Sequence, residues 1–129
     1  MYPKELLYTK EHEWVKVDGD TAKIGITSHA QDQLGDIVFV ELPKVGDKAH
    51  ATQSFGTVES VKAVSDIYAP VSGDIVAINE DLIDAPEKIN EDPHVGGWLI
   101  SVKISDKTEL DTLMTADDYA AYVSAESES

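Results

Sequence analysis

An internal repeat is the feature of this sequence that most constrains its fold. The motif P-x-x-G-D occurs at residues 43–47 and again at residues 70–74, 27 positions later. Between the two copies lies a run of small and β-branched residues, 56–66, with Lys62 near the middle. A repeat indicates similar structural units, and Pro and Gly mark turns. The sequence therefore predicts two similar β units joined by a hairpin with Lys62 at its tip.

Lys62 differs from an ordinary solvated surface lysine. Its neighbours, Val61 and Ala63, carry no charge that would pair with it. The predicted tip also lacks the Gly, Asn and Asp residues that usually form tight hairpin turns. Gly46 lies sixteen residues before Lys62 and Gly73 eleven residues after it, a spacing similar to that of domains that carry a lipoyl or biotinyl group on a lysine.

Alternating apolar and polar residues predict an antiparallel β core. Asp18-Gly19 is predicted to form the first hairpin turn, and a short helix is predicted between a cap at Thr27 or Ser28 and a stop at Gly35. Residues 79–93 are predicted as a long irregular connection in which a proline opens one helical turn. The predicted strands cover residues 13–17, 22–26, 37–40, 48–60, 63–69, 73–78 and 98–104.

The C-terminal part of the chain changes to a helical period. A first helical segment is predicted from the spacing of Leu110, Leu113 and Met114. A helix over 115–125 is predicted from an apolar face of Tyr119, Tyr122 and Val123, with Thr115 and Asp118 resembling a capping box at its start. Residues 126–129 are predicted as a disordered acidic tail. The 129 residues suit a single domain, 1–129, with one core.

The charge of the chain excludes several classes of function. Its net charge is −15, all ten of its basic residues are lysines, and it contains no cysteine. This composition argues against binding nucleic acid or an anionic membrane surface, and it rules out a disulfide framework or a thiolate metal site. It favours encounters with basic docking surfaces or serves solubility alone. No targeting segment precedes the domain, so we expect a cytoplasmic protein, or a mitochondrial matrix protein if a presequence has been removed.

Motifs for catalysis are missing from the sequence. It has no P-loop, no dinucleotide fingerprint and no G-x-S-x-G elbow. No two of its four histidines stand at metal-ligand spacing on one element, so no metal site is predicted. The sequence therefore shows no self-contained catalytic site, which fits a protein that carries a reacting group between enzymes and is not itself an enzyme.

Several long segments resemble the H-protein family of the glycine cleavage system. The resemblance covers nearly the whole chain, and the flanks of Lys62 carry no methionine, which biotin carriers typically have there. The matching segments are residues 8–15, 24–31, 34–43, 59–66, 69–73, 90–93 and 97–98. The family pattern implies a mainly β fold, a flattened barrel-sandwich hybrid of two three-stranded antiparallel sheets with short helices. The loop of His94, Val95 and Gly96 departs from this pattern.

The resemblance also implies a cofactor and its site. Lipoic acid would be joined to Lys62 by an amide, giving a flexible swinging arm. Glu13 would accept the ammonium of the carried aminomethyl group in a cleft that excludes water, with His29 and Asp66 as cleft neighbours. Two further residues would serve recognition by the lipoylating enzyme, Glu59 and Gly73.

The partners implied by the resemblance are the other subunits of the system. The arm would take an aminomethyl group from the decarboxylating P subunit and deliver it to the aminomethyltransferase T subunit. The L subunit, dihydrolipoyl dehydrogenase, would reoxidise it, and a lipoate ligase or a lipoyl/octanoyl transferase would attach it. Two alternatives stay open: a relay that supplies lipoyl groups to 2-oxo acid dehydrogenases, and an unmodified acidic interaction module on the same scaffold.

Overall fold

The structure is a computed structural model that describes residues 2–128. Its strands are β1 (Leu7–Tyr8), β2 (Glu13–Asp18), β3 (Thr21–Ile26), β4 (Ile37–Glu41), β5 (Lys48–Ala49), β6 (Ser54–Ser60), β7 (Val64–Tyr68), β8 (Gly73–Ile78) and β9 (Ile100–Ile104). Its α-helices are α1 (Ser28–Leu34), α2 (Asp81–Asp84), α3 (Lys88–Glu91) and α4 (Ala116–Glu128), and a 3-10 helix covers Lys107–Thr112.

The strands form two antiparallel sheets. The larger sheet has six strands in the order β1-β2-β3-β9-β8-β5, and the smaller sheet has three in the order β4-β6-β7. This architecture confirms the predicted mainly β fold with two sheets and short helices. The prediction of three strands in each sheet is wrong, because β1, β2 and β3 extend the sheet that contains β5, β8 and β9.

The strand that follows the first copy of the repeat, β5, pairs in the larger sheet with β8, which begins inside the second copy. Ala49 of β5 pairs with Gly73 of β8, and the ammonium of Lys48 lies 2.7 Å from a carboxylate oxygen of Asp74. The chain between the copies leaves this sheet and returns to it, and on the way it forms the β6–β7 hairpin of the smaller sheet. The repeat therefore fixes both ends of the hairpin that carries Lys62.

The main core lies between the sheets. It is built from buried branched aliphatic side chains such as Ile24, Val58, Val71 and Ile100, each 0% exposed. α1 contributes through the half-buried Ala30 and Leu34, which pack against this core. Burial of these side chains is the main source of stability for a chain of this size.

A second, aromatic cluster joins the N-terminal strands to α4. Tyr8 and Tyr119 are fully buried and stacked, with ring centroids 4.7 Å apart, and Trp14 is 1% exposed in the same cluster. Tyr8 also exchanges two backbone hydrogen bonds with Met114, at 2.9 and 2.8 Å. The last helix is therefore an integral part of the fold.

Several local predictions agree with the structure. α1 covers residues 28–34, with Thr27 as its N-cap and Gly35 as its C-cap. Thr115 caps α4 by accepting a hydrogen bond from the Asp118 N–H at 3.2 Å. At these helix ends a short polar side chain or a glycine determines the local backbone conformation. The helix boundaries can therefore be predicted from the sequence.

Other local predictions need correction. The turn after β2 is formed by Gly19 and Asp20, because Asp18 still pairs with Thr21. The predicted strand 48–60 is interrupted between β5 and β6, where Thr52 has a positive φ of 71°. The unbroken apolar run at residues 37–40 predicts a buried strand, but β4 buries only Ile37 and Val40. Two of its side chains are exposed, Val38 at 49% and Phe39 at 52%.

The C-terminal helix differs from its predicted extent. α4 ends at Glu128, beyond the predicted end at 125. Ser129, the last residue of the predicted disordered tail, lies outside the described residues. No helix among residues 2–128 combines the length and apolarity needed to cross a membrane.

Gly73→Ala should destabilise the protein more than Gly96→Ala. Gly73 has φ of 158°, and a Cβ there would collide with the carbonyl oxygen of Lys103 and lie 2.8 Å from Cγ1 of Val102. Because rigid backbone cannot yield, the free energy of unfolding should fall by about 2–3 kcal/mol. The measurement is urea unfolding.

The matched control for this prediction is Gly96→Ala. A Cβ there meets only the carboxylate of Asp92, at 3.1 Å, and that side chain can move. We expect a loss below about 1 kcal/mol for the control. Equal losses in the two variants would contradict the steric explanation.

Candidate functional site

The hairpin tip that bears Lys62 is built around one serine hydroxyl. Ser60, at the end of β6, is only 6% exposed. Its Oγ accepts hydrogen bonds from the backbone N–H groups of Lys62 and Ala63, each at 3.1 Å, and its own N–H donates to the Ala63 carbonyl at 2.8 Å. The tip therefore needs no Gly, Asn or Asp, because a serine side chain satisfies its backbone donors.

The tip is also fastened to the loop that follows α1. The N–H of Val61 donates to the Asp36 carbonyl at 3.1 Å. The Cε atom of Lys62 lies 3.2 Å from where a Cβ on Gly35 would be. The methylene stem of the lysine thus lies over a glycine that has no side chain to obstruct it.

Lys62 itself is exposed, and so are its neighbours Val61 and Ala63. Within residues 2–128 its ammonium takes part in no hydrogen bond or ion pair. The prediction that the lysine stands at a hairpin tip is therefore matched by the geometry. Its nitrogen is accessible to a modifying enzyme, and no carboxylate depends on its charge.

Glu13 occupies the opposite kind of environment. It is 2% exposed, at the start of β2. Its carboxylate accepts a hydrogen bond from the Thr9 hydroxyl at 2.6 Å and another from the Tyr68 N–H at 3.2 Å. Burial raises the pKa of Glu13 to about 7, although these two hydrogen bonds favour the ionised form. No cation pairs with this carboxylate among the described residues.

A cleft of about 370 Å³ opens beside Glu13. Its walls come from the β1–β2 turn, the end of β7 and the segment before α4. The lining is mostly apolar, and Glu13 and Glu11 are its carboxylates. The lining residues are Tyr8, Thr9, Lys10, Glu11, Glu13, Thr52, Tyr68, Ala69, Pro70, Thr112, Leu113 and Met114.

Asp66 lines a second cleft. The β7 residues that line this cleft are nearer to Lys62 in sequence than those that line the first cleft. This cleft has a volume of about 250 Å³ and lies between α1 and β7, with Leu34 and Ile67 among its apolar walls. Glu11 lines both clefts and so stands between them. The structure therefore places Asp66 and Glu13 at neighbouring clefts that share one wall residue.

His29 lies elsewhere. It is on α1, and its ring centroid is 4.7 Å from that of His12, in the turn before β2. His29 is not among the residues that line either cleft. The fold thus brings together two histidines that are far apart in sequence, a proximity that spacing along single elements could not predict.

The two predicted recognition residues have different surroundings. Glu59 is exposed on β6, opposite Val64 of β7, and so belongs to the hairpin that presents Lys62. Gly73 is buried at the start of β8, between Ala49 and Ile104. The sheet requires a glycine at this position, because a Cβ there would collide with the Lys103 carbonyl oxygen. Glu59, in contrast, is exposed near Lys62 on the same hairpin.

The loop of His94, Val95 and Gly96 has a defined shape. The Nε2 atom of His94 accepts a hydrogen bond from the Ser28 N–H at 3.1 Å, and burial lowers the pKa of this histidine. The carbonyl of Gly96 accepts from the Asn79 amide at 3.0 Å. The loop therefore supports the start of α1, away from Lys62.

Three residues of the site were missed by sequence reasoning. Ser60 braces the tip, and Thr9 and the Tyr68 backbone orient the Glu13 carboxylate. Ser60 carries a signal in the sequence, since a serine two residues before an otherwise turn-poor tip can replace turn residues. The other two depend on contacts across the fold.

The sequence is similar to proteins of one family over nearly its whole length. The sequence model described as glycine cleavage H-protein matches residues 6–126. A glycine cleavage system H protein of Halothermothrix orenii is 53% identical over 121 residues, 94% of this chain and 94% of its own. That of Staphylococcus carnosus is 59% identical over 117 residues, 91% of this chain and 93% of its own.

A solved structure agrees with these sequence relatives. The crystal structure of a glycine cleavage system H protein from Mycobacterium marinum superposes with a TM-score of 0.86 at 44% identity. The superposition covers 93% of this chain and 97% of that one. These matches confirm the family resemblance that the motifs around Lys62 indicated, together with the mainly β fold of two antiparallel sheets and short helices.

Ser60→Ala should loosen the hairpin tip without unfolding the protein. The variant removes the acceptor of two backbone N–H groups at an exposed tip, which water can partly replace, so the cost is about 1 kcal/mol. We expect faster amide hydrogen exchange at Lys62 and Ala63, with little change elsewhere in the main core. The control is Ser65→Ala, because the Ser65 hydroxyl contacts only the Asp66 carbonyl, at 3.4 Å. Unchanged exchange at the tip of Ser60→Ala would remove Ser60 from this role.

Proposed function

Because the chain belongs to the glycine cleavage H-protein family, we propose that it carries lipoic acid in amide linkage on Lys62. The protein is the carrier subunit of the glycine cleavage system and not an enzyme. The observation that carries the assignment of the lysine is its exposed, unpaired ammonium on a braced hairpin tip. Acylation removes one positive charge there, and no described carboxylate loses a partner.

The fit of Lys62 to this group rests on its immediate neighbours. The backbone of the tip is bonded to Ser60 and Asp36, so the point of attachment is fixed. The stem lies over Gly35, where any side chain would crowd it. A fixed base with an unobstructed stem lets a tethered group sweep a defined volume at high effective concentration.

When bound, the lipoyl group supplies a dithiolane that takes up the aminomethyl group of glycine and later gives it up. The residues of the chain present this arm and shelter its cargo. The two clefts beside β7 offer apolar walls that exclude water from a bound group. Asp66 lies four residues after Lys62, on β7. The last residue of this strand, Tyr68, donates its N–H to the Glu13 carboxylate, so β7 connects the hairpin tip to Glu13.

Glu13 is the proposed acceptor for the ammonium of the cargo. Its carboxylate is buried and lacks a described cation, which makes the site favourable for a small cationic group. Thr9 and the Tyr68 backbone keep the two oxygens in place before the cation arrives. Asp66 and Glu11 add negative charge at the neighbouring cleft. His29 is proposed as a neighbour of these clefts through its contact with His12, which lines the second cleft.

The partners follow from the same proposal. The P and T subunits load and unload the arm, the L subunit reoxidises it, and a lipoate ligase or a lipoyl/octanoyl transferase attaches it. The net charge of −15 suits short encounters with basic surfaces around the active sites of these enzymes. Glu59 is exposed next to the tip and is the proposed contact for the attaching enzyme. We place the carrier in the cytoplasm, since the relatives named above are bacterial proteins.

Lys62→Arg should abolish both lipoylation and activity of the carrier. Arginine keeps the positive charge and the long stem, but it cannot form the amide. Intact-mass measurement after incubation with a lipoylating enzyme should show one added lipoyl group on the parent and none on the variant. Exchange of bicarbonate into glycine with the P subunit should be lost in parallel.

The control for this experiment is Lys48→Arg, since Lys48 is an exposed lysine on β5, away from the tip. It should be lipoylated like the parent. A parent whose mass stays unchanged would favour the unmodified interaction module. A lipoylated parent without exchange activity would favour the lipoyl relay.

Glu13→Gln should leave lipoylation unchanged but shorten the life of the loaded carrier. Glutamine has the same shape and can still accept a hydrogen bond, but it cannot bear the charge that pairs with the ammonium. A charge-assisted hydrogen bond contributes about 1.5–3 kcal/mol, so release of the cargo should be roughly ten times faster or more. The decay is followed by intact mass. Glu41→Gln, at an exposed position on β4, is the control, and equal decay in all three proteins would exclude Glu13 from the role.

A further inference from the structure

Three potential metal ligands from distant parts of the chain meet on the surface next to α4. One ring nitrogen of His12, one of His29 and a carboxylate oxygen of Glu126 all lie within 4.8 Å of one another. His12 belongs to the turn before β2, His29 to α1 and Glu126 to α4. None of the three lines the cleft that contains Glu13.

We propose that His12, His29 and Glu126 form a binding site for one Zn²⁺ ion. Two imidazoles and a carboxylate are a ligand set that suits zinc, and they leave a fourth position open for water. In a tetrahedral zinc site, bonds of about 2.0–2.1 Å place the ligand atoms roughly 3.3–3.4 Å apart. The Nε2 atom of His12 and a carboxylate oxygen of Glu126 are already 3.2 Å apart.

The second ring nitrogen of His12 has the partner that a metal-binding histidine needs. Nδ1 lies 2.8 Å from the hydroxyl of Tyr119, and this hydroxyl lies 2.8 Å from the Thr27 hydroxyl. Tyr119 is fully buried, so its hydroxyl is a fixed point. In this structure Nε2 shares a proton with the Glu126 carboxylate. A zinc ion at Nε2 would take the place of that proton, and the neutral imidazole would then carry its hydrogen on Nδ1 and donate it to the Tyr119 hydroxyl. Such outer hydrogen bonds orient the imidazole ligands of most metal sites.

The backbone of His12 is constrained in a way that aims its ring. His12 has a positive φ of 71°, which is uncommon for a residue other than glycine. Its N–H donates to the Thr9 carbonyl at 3.2 Å, and its carbonyl accepts from the Thr27 N–H at 3.0 Å. The turn is thus held on both sides, and the ring is placed 4.7 Å from the ring of His29.

The electrostatic surroundings also suit a cation. The carboxylates of Glu126 and Glu11 both bring negative charge to His12. A bound ion would connect α4 and α1 to the turn that contains Thr9, the partner of Glu13.

The test is a calorimetric titration of the full, unlipoylated chain with Zn²⁺ after treatment with a chelator. The lipoyl group is omitted because a reduced dithiol binds zinc itself, and so the result does not depend on the proposed function. We expect one ion per chain. His29→Gln and Glu126→Gln should each weaken binding roughly tenfold or more. Both residues are at least partly exposed, so the variants should fold.

The matched control is His50→Gln, which replaces an exposed histidine after β5 and should bind like the parent. A second readout is thermal unfolding, because an ion that binds only the folded arrangement raises the melting temperature. At one fixed zinc concentration, the rise should be the same in the parent and in His50→Gln, and smaller in Glu126→Gln. The proposal is overturned by a parent without saturable one-to-one binding, or by unchanged affinity in either ligand variant.

Discussion

The pairing of β5 with β8, the strands that begin just after the first P-x-x-G-D motif and inside the second, is the constraint on which the rest of this structure depends. β5 and β8 meet edge to edge through Ala49 and Gly73, and the chain between them must leave the larger sheet and come back. The segment between β5 and β8 forms the β6–β7 hairpin of the smaller sheet. Because both of its ends are fixed in one sheet, its tip cannot drift relative to the core. The position of Lys62 is thus set by residues some distance away in sequence.

The two charged residues of the proposed site, Lys62 and Glu13, lie in opposite environments, one exposed and the other buried. The lysine is exposed and unpaired among the described residues, so changing its charge costs the fold little. The glutamate is buried with two hydrogen bonds, and burial raises its pKa. A buried carboxylate that lacks a cation is unfavourable for stability. Such a cost is typical of sites where binding a ligand restores the missing partner.

The sequence predicted those features that depend on neighbouring residues. The hairpin around Lys62, the caps of α1 and the cap of α4 each follow from a few adjacent side chains. The number of strands per sheet did not follow, because β1 to β3 could join either sheet without a change in their pattern. The approach of His12 to His29 and the contact of Tyr68 with Glu13 arise only from tertiary packing. The exposure of Phe39 likewise depends on which face of β4 is covered.

The stacking of Tyr119 on Tyr8 has a consequence for how the chain folds as it is made. Tyr8 leaves the ribosome early, but the ring that covers it and the Met114 backbone that pairs with it come more than a hundred residues later. Until then the aromatic side chains near the N-terminus stay in contact with water. The smaller sheet is complete once Tyr68 has emerged, whereas the larger sheet must wait for β9, and the aromatic cluster for α4.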